Sequence, residues 1–151
     1  MSGQVVCQAY QYNIANISAR VLELDDLHLS GRSLSEVFSA VMDTDQELRS
    51  LANLTPESWW RTQWVELSID ALLQYWHLYL TLRAHLQLAL AHDEGQQFAF
   101  SFVACLDASK ELTRRYLSLR PLLPVGFFVN WVRFDRLHHF GQLRSLPVTV
   151  P

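Results

Sequence analysis

The chain has 151 residues, half of them hydrophobic and 18% charged. That is the size and composition of one folded domain with one core, 1–151, and it excludes a disordered chain. A formal net charge of −3 argues against a nucleic-acid binder, and no charge-free apolar run approaches the roughly 18 residues a membrane span needs.

The opening stretch, 4–29, carries two patterns. Ile14, Ile17, Val21 and Leu24 fit a helical stripe, whereas VLELDDLHLSG alternates like strand, turn and strand around Asp25-Asp26. The expectation is a short helix or strand at the start and extended structure near 20–29. Ser33 and Glu36 then form a capping box, followed by an apolar face of Leu34, Val37, Phe38, Val41 and Met42. Thr44 and Glu47 repeat the box ahead of Leu48, Leu51 and Leu54, so the helix either continues through it or restarts there. Thr55-Pro56-Glu57 opens a further helix with proline at the tolerated first position. This helix carries Trp59, Trp60, Trp64, Leu67, Leu72 and Trp76.

From 78 to 90 every even position is apolar: Leu78, Leu80, Leu82, Ala84, Leu86, Leu88 and Leu90. On a helix this spacing spreads leucine over every side, and on a strand it gathers leucine on one face. Phe98, Phe100 and Phe102 alternate in the same way after Asp93-Glu94-Gly95. A three-residue loop there pairs His92 with Gln96 and sets Leu90, Leu88 and Leu86 opposite Phe98, Phe100 and Phe102, with Gly95 suited to the left-handed turn position. The expectation is a β-hairpin over 78–105; the competing reading is one long helix from 56 to 92. Further on, Asp107 can cap a helix of 108–119 carrying Leu112, Tyr116 and Leu119, which Pro121 and Pro124 end. GFFVNWVRFDRL is a buried strand or a helix face closed by Gly141, its β-branched and aromatic content favouring strand.

Several constellations can carry chemistry. His77, His85 and His92 do not converge as metal ligands in the hairpin reading, so no metal is expected. Asp135 with His138 and His139 is the best acid–base set, because a carboxylate can orient an imidazole; no nucleophile elbow accompanies it. Asp43 to Glu47 lacks the glycine and distal glutamate of a calcium loop. Glu66 and Asp70 mark a solvent face. Trp59, Trp60 and Trp64 cannot all point one way, since Trp60 and Trp64 share a helix face and Trp59 lies about 100° from it. An exposed tryptophan among them would anchor a partner.

Charge is uneven along the chain. Residues 1–106 hold 5 basic and 12 acidic groups, and residues 107–151 hold 7 and 3, an asymmetry that can mark an anionic partner or equally two faces of one domain attracting each other. Cys7 and Cys105 form neither a disulfide framework nor a metal spacing. The first basic residue is Arg20, so a secretory signal with a basic start is not expected, and the expected location is cytoplasmic. Gly126-Phe127-Phe128 and Phe134-Asp135-Arg136-Leu137 resemble the C-terminal part of a small adaptor subunit of type IVB secretion machinery, a resemblance that implies an adaptor role.

The sequence therefore predicts an α+β fold: an antiparallel sheet centred on the 78–105 hairpin, with helices from 33–76 packed on one face. The expected function is a non-catalytic interaction protein (adaptor, chaperone or immunity-like subunit) that binds a protein partner through Trp59, Trp60 and Trp64. No cofactor and no nucleic acid are expected. Because hairpin edges want pairing, a homodimer is expected too. The alternative is a small enzyme or ligand-binding protein with an apolar pocket and Asp135, His138 or His139 in acid–base roles.

Overall fold

A computed structural model of the chain describes residues 2–61, 68–91, 98–124 and 126. Among these residues every regular element is helical: α1 (Ser2–Leu29), α2 (Leu34–Ala52), the short α3 (Glu57–Arg61), α4 (Ile69–Leu90) and α5 (Ala99–Leu119), which runs into a 3-10 turn over Arg120–Leu122. The expected α+β fold is overturned. In place of the 78–105 hairpin, α4 and α5 lie against each other, and α4 also packs on α1 and α2. The chain is a helical bundle with α4 at its centre.

That position explains the leucine pattern. A helix enclosed by three others needs apolar side chains on nearly every side, as even-numbered leucines on a helical backbone provide. Leu73, Trp76, Leu80, Ala84 and Leu88 are buried at three- and four-residue steps, Leu78, Leu82 and Leu86 are half-buried, and only Leu90 is exposed. Leu and Ala are strong helix formers, and the shortage of β-branched residues here also favours helix. The competing reading of one long helix from 56 to 92 has the right element type over Glu57–Arg61 and Ile69–Leu90, but the helix is not continuous: Ser68 is extended and caps the start of α4. The proposed turn residues Asp93, Glu94 and Gly95 lie outside the described residues.

The outer helices follow the same logic. In α1 the stripe Tyr10, Ile14, Ile17, Val21 and Leu24 is buried, so the helical pattern prevails over the extended structure expected near 20–29. The helix stops at Gly31, whose φ of 72° is left-handed. The Gly31 N–H donates to the His28 carbonyl and the Arg32 N–H to the Leu27 carbonyl, the paired bonds of a Schellman close. Ser33 caps α2 in the capping box with Glu36 that the sequence indicates. The helix continues through the second box, where the Thr44 hydroxyl turns back onto the Ala40 carbonyl. Asp107 lies inside α5 rather than at its start, while the helix ends before Pro121 as expected.

Candidate functional site

Buried faces in this bundle are not purely apolar. In α2 the stripe Val37, Val41, Leu48 and Leu51 includes Thr44 and Asp45; in α5 the stripe Cys105, Ala108, Leu112 and Leu119 includes Ser101 and Arg115. Facing both, α4 buries Gln74, His77 and His85. Apart from Thr44, which bonds within its own helix, each of these polar groups meets another across a helix boundary.

One cluster joins α2, α4 and α5. His85 Nε2 donates to Asp45 Oδ1 at 3.1 Å, and its Nδ1 lies 3.1 Å from the Ser101 hydroxyl. Asp45 Oδ2 also accepts from Arg49 Nε at 2.7 Å. The residue types are those of an acyl-transfer triad, but the surroundings differ. His85 and Ser101 are both 0% exposed, so no external carbonyl can reach the serine oxygen in this arrangement. The cluster fixes the register of three helices.

A second cluster holds α3 in place. A five-residue helix has too few turns to satisfy its own carbonyls. Arg115 Nη2 donates to the Trp60 carbonyl at 2.7 Å, and Gln74 Nε2 donates to the Trp59 carbonyl at 2.8 Å. Arg115, only 4% exposed, also donates to Gln74 Oε1 and, through Nε, to Glu111 Oε1 at 2.7 Å. The two hydrogen bonds from Arg114 and the one from Arg115 hold the Glu111 carboxyl down at about 2, against partial burial, which acts the other way. These are charge-assisted bonds of the stronger kind.

A third pairing ties α1 to α4. The Tyr10 hydroxyl lies 2.7 Å from His77 Nδ1, and Trp76 Nε1 donates to Ser18 Oγ at 2.8 Å. Burial pushes the Tyr10 phenol up and His77 down to about 4; the nearby Asp45 charge opposes the His77 shift less strongly. At neutral pH the ring is therefore uncharged. Beside His77 a groove of about 500 Å³ opens between the second half of α2, α3 and the middle of α4.

Of the expected partner residues, Trp59 and Trp60 are half-buried and packed against the core. Their rings meet edge to face at 4.8 Å; Trp59 lies 5.2 Å from Tyr10 and Trp60 lies 5.0 Å from His77. Trp60 Nε1 donates to Thr55 Oγ1. Trp64, Asp135, His138, His139 and the segment resembling an adaptor subunit beyond Gly126 lie outside the described residues, as do Glu66 and His92. His77 and His85, expected on a polar strand face, are instead deep in the core, though they do not converge on each other. Among the described residues no group of three or more His, Cys, Asp or Glu is placed to hold a metal, and no helix is long and apolar enough to cross a membrane.

Sequence reasoning missed Asp45, Gln74, Ser101 and Arg115. The signal was present in the spacing: 101, 105, 108, 112, 115 and 119 follow alternating steps of four and three, which put a serine and an arginine on an otherwise apolar seam.

No family model matches the chain, and no solved structure matches it. The chain is similar to the dehydrocurvularin biosynthesis regulator of Aspergillus terreus, 27% identical over 128 aligned residues that cover 77% of this chain. The chain spans 17% of that regulator's length.

Proposed function

We propose that this chain is a non-catalytic helical module of the kind that serves within a regulator of biosynthesis, acting by binding a protein partner. The observation that carries the reading is the likeness to a biosynthesis regulator along 77% of the chain. The sealed polar clusters support it, since the groups best suited to chemistry are used to join helices. The Trp59–Trp60 corner, held by Gln74 and Arg115, is a rigid aromatic surface of the type partners use. Deleting the gene in its host and sequencing transcripts tests the reading: a co-ordinated change in a set of biosynthetic genes is expected, and an unchanged transcript profile would refute it.

Among the described residues, the Asp45–His85–Ser101 constellation is the observation that favours an enzyme. Treating the folded protein with a fluorophosphonate and weighing it intact separates the two readings. The regulatory reading expects unmodified mass; an adduct on Ser101 would transfer the weight to acyl-transfer chemistry.

A further inference from the structure

The bundle uses only one side of α5. Ser101, Cys105, Ala108, Leu112, Arg115 and Leu119 are buried on the side turned to α4. The opposite side is not the polar face a surface helix ordinarily shows to water. At 100° per residue Val103, Leu106, Lys110 and Leu117 lie within about 40° of the point opposite the buried seam, and all four are exposed. With Thr113 they follow one another at steps of three, four, three and four. That is the 3.5-residue period of a seam between two paired helices.

Two charges indicate what the second helix is. Lys110, the single lysine of the chain, sits at the middle of the stripe, and Asp107 lies on its flank. Both are exposed, and neither makes a hydrogen bond or ion pair among the described residues.

We propose that α5 pairs with α5 of a second copy of this chain, antiparallel about a two-fold axis at the level of Ala108. In that register Leu106 lies against Lys110 of the second copy, and Val103 against its Thr113. Lys110 covers the leucine with its aliphatic stem and brings its ammonium to Asp107 of the second copy. The two-fold repeats each contact, so the axis gathers two lysines and two aspartates with no net charge. A parallel pairing would set Lys110 on Lys110, and an uncharged apolar helix would cover the lysine without supplying a carboxylate; both are costly. A single polar position in such a seam fixes its register and orientation. From Ala99 to Leu117 the contact is about 27 Å long, at the low end of specific interfaces, so the dimer is weak. This pairing needs no strand edge, and it does not rest on the regulatory reading, since it uses only the outer face of α5.

Sedimentation of the full chain from about 10 to 500 µM tests it, the range in which a contact of this size dimerises. A reversible monomer–dimer equilibrium is expected. Leu106→Lys sets an ammonium against Lys110 and should weaken the dimer roughly tenfold or more. Asp107→Lys and Lys110→Asp should each do the same, because symmetry makes every reversal act twice. Exchanging both residues together restores the opposite charges and should bring association back to within roughly threefold of the parent. All the altered positions are exposed, so the helical circular dichroism should be unchanged. A zero-length carbodiimide added to an equal mixture of 15N-labelled and unlabelled chains should join Lys110 of one copy to Asp107 of the other, read as mixed-isotope peptide pairs. A chain that stays monomeric throughout, a dimer indifferent to the three single substitutions, a double exchange as weak as the single ones, or links confined to chains of one isotope would each overturn the proposal.

Discussion

Among the described residues, His77 carries the clearest pH dependence near neutrality. Its ordinary value is 6.5, and burial lowers it to about 4 in the folded chain. Above 6.5 neither state holds the extra proton, and the stability is fully present. Between 6.5 and 4 only the unfolded chain takes it up, so stability falls as pH falls, by about 3 kcal/mol in all. Glu111 adds a lower window. Its stabilising pairs are complete above its ordinary 4.5 and are lost as pH falls toward 2. Urea unfolding at pH 7 and pH 4.5 should show the first loss, and His77→Gln, which keeps an acceptor for Tyr10, should reduce it. Equal stability at both pH values would contradict the burial of a neutral imidazole. Arg115 is the other decisive residue. Arg115→Met strands the Trp60 carbonyl and the Gln74 amide oxygen and leaves Glu111 with Arg114 alone, and should cost about 3–5 kcal/mol. Arg115→Lys should recover only part, because an ammonium cannot reproduce the guanidinium fork. A midpoint unchanged in urea for Arg115→Met would show that α3 is held by something else.

Among the elements, α4 separates the helical account from a hairpin. On a strand Leu80 and Leu90 share a face; on the helix Leu80 is buried and Leu90 exposed. Leu80→Ala should therefore cost about 2–5 kcal/mol and Leu90→Ala less than about 0.5 kcal/mol. Equal losses would restore the strand. At the end of α1, Gly31→Val should cost more than about 1 kcal/mol, since φ of 72° resists a β-branched residue; thermal melts of the variant and parent decide it. Capping chemistry was legible in the sequence because it is local: Ser33–Glu36 and Pro121 mark ends wherever the helix packs. The period of α4 was not legible, because alternation over seven positions satisfies a one-faced strand and an all-round buried helix alike. Asp107 misled for a related reason. It has the chemistry of a cap, but the continuous packing of α5 against α4 overrides it. The polar clusters escaped notice because a histidine or arginine on an apolar seam reads as solvent-facing until its partner on another helix is known.

For the molecule as a whole, the bundle removes the ground for the expected dimer, since no strand edge exists among the described residues. What unites the helices is a shared reliance on α4. Tyr10 and Ser18 tie α1 to it, Asp45 ties α2, Ser101 and Arg115 tie α5, and Gln74 with Arg115 holds α3. The surface pairs Arg20–Glu47 and Arg83–Asp25 add inter-helix contacts, but such exposed or half-exposed bridges contribute little beside the buried ones. The proposed function depends on these buried groups being architectural. The most direct test is a double-mutant cycle in urea on Asp45→Asn and Ser101→Ala, two residues that meet only through His85. If His85 joins the helices, each substitution should destabilise by about 1–3 kcal/mol, and the pair should couple by about 0.5–3 kcal/mol. Two substitutions that leave stability unchanged and simply add would contradict the account, showing that the cluster is retained for something other than holding the bundle together.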